Sequence, residues 1–452
     1  MTAELDLSLV PPLGEPRVSE APPAHEVTLP SGLHLVVVPR PGVPLIELRL
    51  RVPFAAPTLR GAGVHTARTS VLAGAVLLGT AAHDQTAIAE LLQEQGAELS
   101  VSSDADRLLF STTMLSGGLA PVLEVLAELL TSASYPADRV EGERERVAER
   151  IGIARSQPGV IARAALAARR YGSHPYSIEL PDPDLVMDVR APALRRLHGE
   201  RIVPAGSSLV LVGDLDPRAA TDAVAAALDG WTGTGQALET PPAPELGPPG
   251  IELVHRPGAV QSNLRMGGPA PGRTSPDLAA LRLAGMVFGG YFSSRLVENI
   301  RERRGYTYSP RSAVDHAAAG SSFLVEADVA TEVTGPALLE TWYELGRMAL
   351  TPVTEAELDG ARRYVLGTMA LSTATHAGLA STLSALIGSG LPPEWLADHQ
   401  RALTSVTVEQ VQEAALRYLA APALTTVVVG DADRVSSALA ALGPVVVAPA
   451  EA

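Results

Sequence analysis

The chain alternates between short apolar runs broken by Gly and Pro and longer stretches in which apolar residues recur every three or four positions. From His25 to Val52, "HEVTLPSGLHLVVVPRPGVPLIELRLRV" predicts two strands around Pro-Gly turns, because β-branched and apolar residues dominate between the punctuating residues. A helical stretch is expected from Gly63 to Gly79. In "TAIAELLQEQG", Ile88, Leu91 and Leu92 share one helical face, and Gly96 suits the left-handed position that closes a helix. "ELSVSSDADRLLFSTTML" predicts a hairpin turning at Asp104 to Asp106. Helices follow at about 117 to 131, 136 to 155 and 159 to 170. This half closes with "SSLVLVGDLDPRAATDAVAAALDGW", a buried strand feeding an Ala-rich helix.

The second half repeats the plan, with a hairpin over roughly 306 to 329 and a closing "LTTVVVGDADRVSSALAAL". An apolar strand ending in Gly-Asp-x-Asp before an Ala-rich helix occurs twice at domain spacing, which points to a tandem duplication. Between them "TGTGQALETPPAPELGPP" has no apolar period and is dense in Pro and Gly. The expected fold is α+β: two similar duplicated domains, each a mostly antiparallel sheet covered by helices, joined by this Pro/Gly-rich linker. The expected boundaries are a flexible arm over 1–24, a first domain over 25–231, the linker over 232–249 and a second domain over 250–446.

Composition narrows the function classes. A chain of 452 residues is too long for one core, and with aromatics at only 4% its cores must be built from Ala, Leu and Val. The formal charge of −15 argues against a nucleic-acid partner. The absence of cysteine removes disulfides, thiolate metal sites and thiol nucleophiles. The amino terminus, "MTAELDLSLVPPLGEPRVSEAPPAHE", has no basic region followed by an apolar one, and no run reaches the roughly 18 apolar residues of a membrane span. The expected location is the cytoplasm, with no membrane partner.

The ten histidines are scattered, the closest pair being His25 and His34, so no His-x-x-x-His site exists. His65 precedes an Ala- and Ser-rich helix and is expected to pack or cap. Glu141, Glu143, Glu145 and Glu149 alternate with Arg139, Arg144, Arg146 and Arg150, which predicts a solvated helix face with i to i+4 pairs.

Several segments together resemble one family: "TLPSGLHLVVVPRPGVP", "GAGVHTARTSVLAGAVLLGT", "YPADRVEGERERVAERI", "SHPYS", both Gly-Asp-x-Asp strands and "GGYFSSRLVENIRERRGYTYS". The sequence resembles the insulinase and pitrilysin zinc peptidases with an inverted H-x-x-E-H motif, in the branch that includes the mitochondrial processing peptidase. The resemblance covers about 25 to 446. Fixing its register on Gly79-Thr80 puts the three motif positions at Ser70, Ala73 and Gly74, and the distal third ligand at Arg150. Two histidines four apart on a helix can share a zinc while the Glu between them polarises the bound water. Ser, Ala and Gly can do neither, so the resemblance implies no metal in this chain.

The resemblance also implies that an Arg and a Tyr seven residues apart reach toward the zinc site of an opposing half, and Arg301 and Tyr308 match that spacing. By residue type alone, Arg301 could instead complement a helix carboxyl end and Tyr308 pack on a sheet. Tyr306 fits packing or a substrate-facing place. Gly289 and Gly290 match a glycine segment tied to substrate recognition in the family's noncatalytic subunit, and equally suit a tight turn.

The function this implies is a non-zinc subunit of a heterodimeric zinc metallopeptidase acting on peptides. Its catalytic contributors would be Arg301 and Tyr308, and its substrate-binding residues Gly289 and Gly290. Zinc would sit in a homologous partner subunit carrying the intact motif, and a homodimer stays open for the chain in isolation. The competing expectation is a catalytically inert structural or peptide-binding subunit.

Overall fold

The computed structural model describes Gly14, Val18 and residues 20–233, 235, 238–244 and 250–449. Most of the expected arm, and residues 234, 236–237 and 245–249 of the expected linker, lie outside the described residues.

Three strands open the chain where two were expected: β1 (His25–Thr28), β2 (His34–Pro39) and β3 (Leu45–Pro53). The additional turn lies at Pro30 to Gly32. Gly32 takes φ +88°, which folds β1 back on β2 with His25 opposite Val37. There follow α1 (Ala62–Ala75), α2 (Gln85–Glu94), the hairpin β4 (Ser100–Ser103) and β5 (Arg107–Leu115), then α3 (Leu119–Ser132), α4 (Ala137–Arg155) and α5 (Pro158–Tyr171). The half ends with α6 (Pro183–Met187), α7 (Ala191–Arg201), β6 (Ser208–Gly213) and α8 (Pro217–Ala227).

The second half runs β7 (Ile251–His255), β8 (Gln261–Ala270), α9 (Leu278–Gly285), two π-helical stretches at Met286–Gly290 and Val297–Arg303, then β9 (Arg311–Ala317) and β10 (Gly320–Ala330). Helices α10 (Thr334–Leu350), α11 (Glu355–Ser372), α12 (His376–Ile387), α13 (Trp395–Ser405) and α14 (Val408–Tyr418) precede β11 (Thr425–Gly430), α15 (Ala432–Ala440) and β12 (Val445–Pro449). Helix starts follow local chemistry. Thr354 and Thr407 close capping boxes with Glu357 and Gln410. The repeated Gly-Asp-x-Asp supplies an N-cap each time, through its second acid, Asp216, at α8 and its first, Asp431, at α15.

Each half holds one six-stranded mixed sheet packed against helices, ordered β1-β2-β6-β3-β5-β4 and β12-β7-β11-β8-β10-β9. In the first, β2 and β6 run parallel and the other pairs antiparallel. In the second, β7 is parallel to both β11 and β12. Five strands correspond in order, while the sixth comes from the start of one half and the end of the other. Leu35, Leu48, Leu50, Phe110 and Leu211 face helices α1, α3 and α4 in the first core, and Leu253, Phe323, Leu338 and Val428 build the second.

The opposite face of each sheet is covered by a helix from the other half. Leu379, Ala380, Leu383 and Leu386 of α12 pack on Val36, Val38, Val210 and Val212 of the first sheet. Ala162 and Leu166 of α5 pack on Val254, Val427 and Val429 of the second. Strands β6 and β11 are buried at every position because both faces are covered. Among the described residues no helix is long and apolar enough to cross a membrane.

Candidate functional site

Helix α1 carries Ser70, Ala73 and Gly74, the three positions picked out by the resemblance. The hydroxyls along it are spent on their own helix. Thr66 donates to the Ala62 carbonyl, Thr69 to His65 and Ser70 to Thr66, each at 2.9 Å. Ser70 also lines a cavity of about 710 Å³ between the halves. His65 is a packed residue: its Nε2 donates to the Phe54 carbonyl at 2.7 Å, its ring lies 5.5 Å from that of Phe54, and burial lowers its pKa.

Gly74 faces α4 so closely that a β-carbon there would collide with the Glu143 carboxylate, with Arg146 Nη2 at 3.3 Å. Glu143 is only 8% exposed, and Arg146 holds both its oxygens, at 2.6 and 2.8 Å. Two expectations change here. The acid and base stripe of α4 is not wholly a solvated face, because Glu143 and Arg144 are buried, and its close pairs, Glu141–Arg144 and Glu143–Arg146, are spaced i to i+3. The α4 side chains that reach Gly74 are Glu143 and Arg146, while Arg150, the expected third position, is exposed. Periodicity held the signal. Val140, Val147 and Ile151 mark the buried stripe, and Glu143 and Arg144 fall on it.

In the second half the structure brings Arg301 and Tyr308 together. The Arg301 guanidinium lies between two rings, 4.6 Å from the centroid of Phe292 and 5.1 Å from that of Tyr308, and its Nε is 3.2 Å from Glu302. Tyr308 is 83% exposed and Phe292 63%, so the stack stands at the surface. Such an exposed cation–π contact is worth about 0.5–1 kcal/mol, enough to orient a guanidinium but not to hold a fold. Arg301 sits on the π-helical Val297–Arg303 rather than on an α-helix. Leu296, Val297 and Ile300 are nonetheless buried on its inner face. Sequence reasoning missed Phe292, which an aromatic beside the glycine segment could have signalled.

Neighbouring ion pairs fix this segment. Asn299 donates to Glu340 and Glu344, Arg304 pairs with Glu340 at 2.6 Å, and Arg295 grips Glu357 through two bonds at 2.7 and 2.9 Å. The Arg295 contact holds the Glu357 pKa down to about 2. Tyr306 packs against the second core. Gly289 and Gly290 end the first π-helical stretch in crowded places. A β-carbon at Gly289 would lie 3.0 Å from Ser312 Oγ, and one at Gly290 2.6 Å from Met286 Sδ.

The segment "SHPYS" ties the halves. Tyr176 donates to Asp106 at 2.9 Å and accepts from the Ala319 amide at 2.8 Å, and the Ala318 amide donates to the same Asp106 at 3.1 Å. Burial raises the Tyr176 pKa, so it stays a donor. Among the described residues one group has metal-like spacing, His255 with Asp431 and Asp433. Its polar atoms serve the start of α15. His255 Nδ1 accepts from the Ala432 amide and Asp431 from the Asp433 amide, and a helix N-terminus disfavours a cation.

Comparison with known proteins adds the following. Residues 71–184 match the family described as Insulinase (Peptidase family M16), and residues 188–365 match the Peptidase M16 inactive domain. An uncharacterized zinc protease of Mycobacterium tuberculosis is 26% identical over 429 residues, covering 89% of this chain and 94% of that protein. The non-peptidase homolog YmxG of Helicobacter pylori is 24% identical over 322 residues, covering 70% and 73%. A crystal structure of a peptidase M16 inactive domain from Pseudomonas fluorescens superposes with a TM-score of 0.81 at 25% identity, over 90% of this chain and 98% of that one. A protease from Helicobacter pylori shares the fold, with a TM-score of 0.82 at 18% identity over 91% and 100%.

Proposed function

We propose, for a chain that belongs to the insulinase (peptidase M16) family, that it serves as a non-zinc subunit completing the peptide-cleaving site of a zinc-bearing partner. The observation that carries this is the Arg301 stack, a cation held between Phe292 and Tyr308 on an exposed face. Hydrolysis of a peptide over zinc builds negative charge on the carbonyl oxygen. A tyrosine hydroxyl aimed there donates to that charge, and a guanidinium holds a substrate carbonyl at any working pH.

The donor set on α1 does not fit zinc. Ser70 offers one hydroxyl already bonded within the helix, Ala73 offers nothing, and the Glu143–Arg146 pair fills the room beside Gly74. In this reading the three α1 positions hold no metal, and zinc would be held by the partner. Gly289 and Gly290 act in this reading by letting the turn before Phe292 close tightly, with any peptide contact made through their backbone.

The test mixes the purified chain with a zinc-bearing relative and follows cleavage of quenched peptides. The mixture should outpace the relative alone, and Tyr308→Phe should remove most of that gain, a loss of about 100- to 1,000-fold for one oxyanion donor. A mixture no faster than the relative alone would sink the proposal. The second reading, a catalytically inert structural or peptide-binding subunit, is favoured by similarity to a protein named a non-peptidase homolog. It expects peptide or partner binding with no gain in cleavage.

A further inference from the structure

Two cavities, of about 710 and 580 Å³, meet between the halves, and both are walled by Arg51 of β3, Arg273 just after β8, and His316 of β9. Behind Arg273 the packing is layered. Its guanidinium lies 5.9 Å from the Trp395 ring, Trp395 stacks on His399 at 4.5 Å, and Arg282 approaches His399 Nε2 at 3.1 Å. Arg51 and Arg273, from different halves, thus line the same two cavities, with Arg282 packed behind Arg273.

Carboxylates line the larger cavity too: Glu179 pairs with Arg163 and Glu326 with Arg311, while Asp104 and Asp106 act on Arg51, and Asp315 on Arg273, from beyond ion-pairing distance. Asp104 pairs with Arg107 at 2.9 Å, and Asp106 accepts from Tyr176, Thr240 and the Ala318 amide. Asp315 near Arg273 is exposed. Among the described residues, Arg51, Arg273 and Arg282 have no carboxylate within ion-pairing distance, and Arg273 Nε is buried without a partner. Other sheltered arginines in this chain have partners, Arg265 with Asp328, Arg169 with Glu252, Arg295 with Glu357, and Arg170 and Arg201 with Ser322 and the Ala55 carbonyl. Burial and the neighbouring guanidiniums also hold His316 down to about 4 and His399 to about 3, consistent with a positive local field in a chain of net charge −15.

Space has been left for this arrangement. A β-carbon on Gly388, at the end of α12, would lie 2.5–2.7 Å from the Arg51 side chain, so the glycine is what lets Arg51 reach the cavity wall. Half-buried guanidiniums with no directly bonded carboxylate keep unused donors, and an anion entering the cavity would satisfy them.

We propose that Arg51 and Arg273 form an oxyanion site that receives a carboxylate or phosphate group between the two halves. Planar guanidiniums offer paired donors that match either group. The larger cavity has room for the end of a short peptide, whose terminal carboxylate is one source, and free phosphate is the other.

The test titrates the full chain by calorimetry with inorganic phosphate, an N-acetylated tripeptide and its C-terminal amide. The free acid or phosphate should bind, and whichever binds names the source. The amide should bind about 10- to 100-fold more weakly than the acid, as expected for losing charge-assisted hydrogen bonds. Arg273→Gln and Arg51→Gln should weaken the bound anion by a similar factor. Acid and amide binding with the same measurable affinity, or no binding of either acid or phosphate, overturns the proposal. The acid and amide comparison uses the unaltered chain, so it decides the matter even if a variant folds poorly.

Discussion

Leu92 and Leu99 flank Gly96 in the first half as Arg301 and Tyr308 flank Gly305 in the second, each four positions before and three after the glycine. Both glycines are left-handed, with φ +62° and +66°, and each precedes its half's hairpin. The leucines are buried, each 6% exposed, whereas Tyr308 is 83% exposed. One duplicated scaffold thus uses the same backbone exit to close a core in one half and to present a cation and a phenol in the other. The first helix of each half differs too. Helix α1 is regular and presses Gly74 against α4, while its counterpart breaks into π-helical turns around Gly289 and Gly290. Regularity goes with packing and irregularity with display, as π-bulges at functional sites would suggest.

The strongest way to break that comparison is to exchange the side chains. Leu92→Arg should cost about 3 kcal/mol or more, because it buries a charge without a partner, while Arg301→Leu should change stability by about 1 kcal/mol at most. Urea denaturation of both variants measures the difference, and equal losses would mean that the two positions are not opposites.

A middle-sized effect is expected at Gly74. Gly74→Ala should destabilise by about 1–3 kcal/mol through overpacking against Glu143, and adding Glu143→Ala should restore part of it, since Arg146 can turn to solvent. Gly142→Ala on the same α4 meets nothing within 4 Å and should be neutral or stabilising by about 1 kcal/mol. If the three variants unfold alike, Gly74 is not crowded.

The smallest effect near neutral pH is acid sensitivity. Burial lowers the pKa of His65 and His198 in the first half, and burial with nearby guanidiniums takes His316 to about 4 and His399 to about 3 in the second. The unfolded chain protonates these groups near their ordinary value of about 6.5 while the folded protein does not, so protons favour unfolding. Stability should be full above pH 6.5 and fall as pH drops toward 5, by about 1.4 kcal/mol per pH unit for each histidine kept neutral. His399→Gln should flatten part of that slope, and a melting temperature constant from pH 7.5 to 5 would contradict it.

Much of the scaffold was legible because its signals are local. Paired "VLVGDLD" and "VVVGDAD" runs gave away the duplication, and Gly96 and Gly305 marked the exits before the hairpins. The turn at Pro30 to Gly32 was equally local but was passed over, which merged two of the three opening strands. The uniformly apolar β6 and β11 implied cover on both faces, yet nothing local says that α12 and α5 come from the opposite half, since that choice rests on long-range packing. The site was half legible. Spacing joined Arg301 to Tyr308, but Phe292 reaches them only through the folded turn. The buried face of Glu143 follows from the valines around it rather than from its charge, and Arg51 and Arg273 line one cavity only because the two halves meet.

The exchange of α5 and α12 has a consequence for how the molecule comes apart. Each half holds its own core on one face of its sheet but owes the cover of the other face to its neighbour. Detaching one would bare the valines of β2 and β6, or those of β7 and β11, to water. The duplication therefore yields a single cooperative unit rather than two beads on a string, and a nick in the intervening segment would leave a complex still clasped from both sides.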